Sequence, residues 1–388
     1  MMADLSILLV VSWDPATNVG GVPIRWYQLQ QALAGAGRLE TFVADDYCAH
    51  EQFGHPLAYL RDASGPFLDP YHSQYCRDAQ GALGRLVQDR HFDVVVFSGL
   101  WTSPYMVRLP EVPAALVLDT HNVQSALDRQ LASGQGPGAP GWLDEQHLAG
   151  IERLERAAVN VASAVWACSP LDAAEMGRMY PEAAGRMVVV PNTVQVPAEL
   201  PPAGPLDKAS FIGRLDYWPN EQAGQFIVQQ LRPVLSGSAS LLQYVVAGAW
   251  PGHAGPGYFW EPDGVRDPVL VIENPPDVEA LRAGAVSLVP LSVGGGTRTK
   301  ILESWAAGSP VVSTAKGMEG IAAVPGEHYL PAETAAEFNE AIGRLVDEPE
   351  LCSGMVRRAW ELVRSEYSQQ ALVRAVRAAL RPITAPAC

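Results

Sequence analysis

Long apolar runs are absent from this 388-residue chain. No stretch approaches the roughly 20 apolar residues that a membrane-spanning helix needs, so no integral membrane segment is expected. The N-terminus holds one short apolar run, Ile7 to Val11, behind Asp4. A secretory leader needs a basic start, a longer apolar run and a small-residue cleavage site. Cysteine is scarce: five residues, Cys48, Cys76, Cys168, Cys352 and Cys388, odd in number and scattered. That set suggests neither a disulfide framework nor a zinc site. A cytoplasmic protein with no metal ligands is the expectation.

Charge is sparse too, at 18% of residues, and positive charge is outnumbered by 42 Asp and Glu to 27 Lys and Arg. The net charge of −15 repels phosphate backbones and anionic headgroups, which disfavours nucleic acid as a partner. A local basic pocket for a small phosphate ligand is compatible with it. Low-complexity tracts and internal repeats are missing. There is no Gly-x-x-x-x-Gly-Lys-Ser/Thr loop, and the first loop, Asn18-Val19-Gly20-Gly21-Val22, lacks the Gly-x-Gly-x-x-Gly pattern of dinucleotide binding. No Asp-x-Asp pair suggests a metal-held phosphate.

What is present is an alternation. Nearly half the residues are apolar, enough for two domains with substantial cores. Leu5–Val11 reads as a strand, Ser12–Pro23 as a loop, Ile24–Ala36 as a helix and Thr41–Ala44 as the next strand. The continuous apolar runs Val94–Phe97, Ala115–Leu118, Ala164–Ala167 and Val188–Val190 fit buried parallel strands. Leu143–Val161 has a helical pattern, with Glu152, Arg153, Glu155 and Arg156 expected on a solvated face. The proline-rich stretch 196–205 reads as a stiff linker. Beyond it the alternation restarts, with strands at Ala209–Gly213, Gln243–Ala247, Val269–Ile272, Val286–Val289 and Pro310–Ser313. Helices are expected from about Glu221 and at Val278–Ala283, Lys300–Ala307, Thr334–Asp347, Pro349–Glu366 and Gln369–Leu380. The predicted domains are therefore 1–198 and 206–365, with 366–388 returning to the first.

The sharpest local signal is Val289-Pro290-Leu291-Ser292-Val293-Gly294-Gly295-Gly296-Thr297-Arg298-Thr299-Lys300-Ile301-Leu302-Glu303. A strand runs into three glycines and a helix then starts. Glycines let backbone N–H groups approach an anion, and the helix start adds unpaired donors. Thr297, Arg298 and Lys300 contribute a hydroxyl and two cations, which in an acidic chain suggests a pyrophosphate. Glu303, one turn beyond Lys300, is placed to accept hydrogen bonds from a ribose diol. The alternative is a tight turn followed by a Lys300–Glu303 surface ion pair.

With these motifs in order, the whole chain resembles the retaining glycosyltransferases of family 4. The match is carried by Gly20-Gly21, Asp119-Thr120-His121-Asn122-Val123, Cys168-Ser169, Val190-Pro191-Asn192-Thr193-Val194, Phe211-Ile212-Gly213-Arg214, Val246-Ala247-Gly248 and the block from Val289 to Gly320. The resemblance implies an α/β, GT-B architecture, two Rossmann-like domains with parallel sheets facing across a cleft. It also implies a hexosyltransferase-type enzyme that moves a sugar from a nucleoside-diphosphate sugar to a hydroxyl, with retention and no metal or other cofactor. By the same resemblance Arg214 binds pyrophosphate, Glu303 holds the ribose, and His121 lines the donor sugar. Gly20, Gly21, Gly295, Gly296 and Thr297 meet the donor, and Asn274 lies where the nucleobase is contacted.

Two departures stand out. Gly295 replaces the first glutamate of the family's Glu-x7-Glu signature. The lysine often found five or six residues after Arg214 is replaced by Pro219 and Asn220, leaving Lys300 as substitute cation. A non-catalytic sugar-nucleotide-binding partner, or a sugar-nucleotide epimerase, are the competing readings. The acceptor, a glycan or natural product hydroxyl, would be chosen by loops such as Asp45–Arg77 and Ala132–Gly141, which carry no portable motif.

Overall fold

The computed structural model describes residues 5–13, 21–47, 75–133, 144–202, 204–215, 217–249 and 269–384. The chain forms two compact units, Met1–Asn192 with Gln369–Cys388, and Thr193–Ser368. Each is built on a six-stranded sheet whose neighbours all pair in parallel.

In the first unit the strands are β1 (Leu5–Val11), β2 (Gly37–Val43), β3 (Val94–Ser98), β4 (Ala115–Asp119), β5 (Ala164–Ala167) and β6 (Met187–Val189), in the order β2-β1-β3-β4-β5-β6. All seven residues of β1 are buried. Successive side chains leave a strand on opposite faces, so Leu8 and Val10 enter one apolar cluster and Ile7, Leu9 and Val11 the other. The sheet is thus covered on both sides, which is why its strands read as unbroken apolar runs rather than alternating ones. The helix Gly21–Ala34 begins three residues earlier than its periodicity suggests. It packs against Gln369–Thr384, whose Leu372, Val376, Ala379 and Leu380 share a core with Trp26, Leu29 and Leu33. Gln369 Nε2 donates to Gln28 O at 2.9 Å and Arg377 Nη2 to Gly35 O at 2.6 Å.

One expectation for the Glu145–Val161 helix fails. Glu155 is buried, not solvated: it accepts hydrogen bonds from Ser125 Oγ, from Tyr180 Oη at 2.7 Å and from the Gln124 amide at 2.9 Å. Its carboxylate thereby serves the first turn of the Gln124–Ser133 helix, a partner that sequence periodicity within one helix cannot reveal.

In the second unit β7 (Lys208–Ile212), β8 (Gln243–Gly248), β9 (Leu270–Glu273), β10 (Ala285–Val289), β11 (Val311–Ser313) and β12 (Leu330–Pro331) lie in the order β12-β11-β10-β7-β8-β9. This is the doubly wound order of a Rossmann sheet, and its direction reverses between β7 and β10. The unit starts ahead of the proline-rich stretch for a physical reason. Val194 N donates to Tyr367 O at 2.9 Å and Val194 bridges to Ser368, while Val196 and Leu206 pack on this unit's core.

Candidate functional site

In an open parallel sheet, the loops leaving the carboxyl ends of the two strands at the reversal diverge and leave a crevice. Here those loops are Gly213–Tyr217 after β7 and Pro290–Arg298 after β10. Their backbones are held close. Gly248 (φ 152°) ends β8, and a Cβ there would collide with the carbonyl of Gly213. The β10 loop uses Gly294 (φ 148°) and Gly296 (φ 63°) in conformations that favour glycine. Thr314, just after β11, anchors it, its Oγ1 donating to Leu291 O at 2.6 Å.

Lys300 rises from the first turn of the Thr299–Ala306 helix toward β7. Its Nζ lies 2.7 Å from Asn220 Oδ1 and 4.1 Å from the centre of the Phe211 ring. A Cβ on Gly213 would sit 2.8 Å from Nζ and 2.9 Å from Asn220 Nδ2, so a side chain there would displace the pair from this arrangement. Asn220 also donates to Arg214 O at 2.8 Å. Asn220 therefore positions Lys300 beside the Gly213-Arg214 turn. Burial, then the nearby Arg298 cation, push the Lys300 ammonium down to about 7. Arg214 is exposed at the same turn.

Glu303 does not pair with Lys300. Its carboxylate meets the guanidinium of Arg282, a buried side chain that also pairs with Glu279 at 2.6 Å. Burial pushes the Glu303 carboxyl up, against the pull of Arg282. Arg298 is buried and turned onto the loop itself, donating to Gly296 O and, at 3.1 Å, to Lys316 O. It braces the glycines. Thr297 is buried next to it. Asn274 follows β9 with φ 49°, a left-handed conformation that Asn tolerates, its amide donating to Gly248 O at 2.8 Å. Gly213, Gly248, Asn274, the glycine loop and Lys300 thus share the carboxyl edge of one sheet. Gly295 belongs to this edge as well, half-buried in the loop.

His121 belongs to the first unit and follows β4. Its Nε2 lies 3.2 Å from Ser98 Oγ and 3.6 Å from Asp119 Oδ2. Behind it, Arg25 of the Gly21–Ala34 helix grips Asp119 with two nitrogens, and reaches Asn192 Oδ1 at 2.9 Å and Val190 O at 3.1 Å. Burial opposes ionisation of Asp119, but Arg25 outweighs it and holds the carboxyl well below the usual carboxylate range. Burial lowers the imidazole of His121 against the opposing pull of Asp119. The rings of Trp101 and Trp26 meet it edge to face, with centroids 5.1 Å and 6.4 Å away. Gly21 is the first residue of its helix; Gly20 lies outside the described residues, as do 48–74 and 134–141 within the two loops expected to choose an acceptor.

Sequence reasoning missed Asn220 as a ligand of Lys300, Arg282 as the partner of Glu303, and the Arg25–Asp119–Ser98 cluster. In the sequence Asn220 reads only as a residue standing in place of a lysine. The rest are joined across 21 to 94 residues of sequence and left no local signal.

Residues 207–348 match the family model described as Glycosyl transferases group 1. Among solved structures, sucrose-phosphate synthase from Thermosynechococcus elongatus aligns at TM-score 0.73 and 19% identity, covering 98% of this chain and 99% of that one. Anabaena HepE in complex with UDP-glucose aligns at 0.65 and 12%, covering 97% and 100%. The catalytic domain of starch synthase IV from Arabidopsis thaliana, bound to ADP and acarbose, aligns at 0.63 and 13%, covering 98% and 100%. No curated protein matches the chain in sequence. The chain therefore has the GT-B fold, and its residues 207–348 resemble the group 1 glycosyl transferases.

Proposed function

We propose that this protein is a retaining hexosyltransferase, moving a sugar from a nucleoside-diphosphate sugar to a hydroxyl of a glycan or natural-product acceptor without a metal ion. The observation that carries the reading is the placing of Lys300, by Asn220, beside Gly213-Arg214 and the glycine loop at the reversal of the second sheet. As the glycosidic bond breaks, negative charge grows on the departing pyrophosphate. Arg214, the Lys300 ammonium and the amides around Gly295, Gly296 and Thr297 are the groups that would balance it, a role that needs no metal. Glu303, steadied by Arg282, would take the ribose hydroxyls, and Asn274 would face the base. Gly20 and Gly21 would close on the phosphates, and His121 would line the sugar. UDP-glucose in the HepE structure and ADP in the starch synthase structure support a nucleoside diphosphate as the ligand class.

The test is a thermal-shift screen of UDP, GDP, ADP, dTDP and their sugars with EDTA present. One nucleotide series should raise the midpoint in EDTA, and Lys300→Ala should abolish the rise. Stabilisation by none of them overturns the reading. Proton NMR of the product's anomeric centre, compared with the donor's, tests retention.

A further inference from the structure

Ser98, Asp119 and Arg25 form a buried relay behind His121, and the proton count in it is determined. Arg25 cannot lose its proton, and it holds Asp119 ionised from both carboxylate oxygens. Asp119 is therefore an acceptor only. Ser98 has a single hydroxyl proton, and its Oγ lies 2.6 Å from Asp119 Oδ2 against 3.2 Å from His121 Nε2. A charge-assisted hydrogen bond to carboxylate is roughly twice as strong as one to a neutral group, so the proton goes to Asp119. The Ser98 oxygen is then left with lone pairs facing the imidazole. Both groups facing His121 Nε2, Ser98 Oγ and Asp119 Oδ2, are acceptors.

We propose that Arg25, Asp119 and Ser98 are positioning residues that lock His121 in the Nε2–H tautomer, so that Nδ1 is presented to the ligand as a hydrogen-bond acceptor. Nδ1 has no partner among the described residues and is not one of the enclosed polar atoms. The complementary group is a neutral donor. On the functional reading above, it is a sugar hydroxyl; a phosphate or carboxylate oxygen has no proton to give at neutral pH. Trp26 and Trp101, edge-on to the imidazole, hold the ring plane while the relay fixes the proton.

The test reads the tautomer in the free, full-length protein, so it is independent of donor binding and of the proposed activity. Long-range proton–nitrogen NMR on 15N-histidine-labelled protein, at a pH where the ring is neutral, separates the two nitrogens. The His121 signal is assigned by its loss in His121→Gln. A protonated-type Nε2 and a lone-pair-type Nδ1 are expected. The reverse pattern, or one averaged over both tautomers, overturns the proposal. In Asp119→Asn the new amide can donate to Nε2, and the tautomer should flip to Nδ1–H; a folded variant with an unchanged pattern overturns the relay. Ser98→Ala, which leaves Asp119 at 3.6 Å as the sole acceptor, serves if Asp119→Asn does not fold. Its pattern should move toward averaging, and an unmoved pattern removes Ser98 from the relay.

Discussion

At the scale of single residues, the candidate site depends on a side chain that is absent. Gly213 gives Lys300 and Asn220 their space, and Gly213→Ala should cost more donor affinity than Asn220→Ala, although alanine adds only a methyl group. Asn220→Ala leaves the ammonium without its 2.7 Å acceptor, a loss of about 1–3 kcal/mol for a charged partner. Isothermal titration with the nucleotide identified by thermal shift measures both. The same lysine sets a pH dependence. Its pKa of about 7 is below the value of an exposed lysine, so the free protein loses the ammonium as pH rises through 7. An anionic ligand selects the protonated form. Binding above pH 7 therefore takes up a proton, and affinity should fall by up to about tenfold per pH unit. Titration in buffers of different ionisation enthalpy detects the uptake, and Lys300→Arg should suppress it.

At the scale of elements, the strands were legible and the connections between them were not. Among the described residues, eleven of the twelve strands overlap predicted ones; in β1, β3, β5 and β10 every residue is buried, and burial on both sheet faces imposes the unbroken apolar run that makes a strand legible. The exception, β12, is two residues long and too short to have a pattern. The helix Arg77–Asp89 escaped because Gly81 and Gly84 break its propensity, although Ala79, Leu83 and Val87 are buried. Within the site, the glycine loop and Lys300 were readable because their chemistry is local. Arg282 and Arg25 were not, since each is defined by a carboxylate brought to it by the fold. The Cys168-Ser169 pair illustrates a motif whose physical role emerges only in three dimensions. Ser169 caps the Pro170–Met179 helix, accepting from the Asp172 amide at 3.1 Å, and donates to the Asp172 carboxylate at 2.6 Å. Ser169→Ala should destabilise the first unit by about 1–2 kcal/mol in urea unfolding, without changing nucleotide binding in the second.

At the scale of the whole molecule, the first unit is discontinuous in sequence, whereas the second is a single span, Thr193–Ser368. Removing residues 369–388 uncovers the apolar face of the Gly21–Ala34 helix, where Trp26, Leu29 and Leu33 meet Leu372, Val376 and Leu380. The truncated chain should lose the cooperative melting of the first unit in calorimetry. The core of the second unit contains no residue beyond Tyr367 and should keep its transition. The same layout has a consequence for biosynthesis. Hydrogen bonds such as Gln369 to Gln28 and Arg377 to Gly35 join partners more than 340 residues apart. At about 5–20 residues per second, a ribosome needs on the order of 20–70 s to deliver the second partner after the first. Through that interval the second unit can fold to completion while the Trp26 face is still bare. In a cell it is this early-made helix, waiting for the Gln369–Thr384 helix to be translated, that chaperones would have to shield.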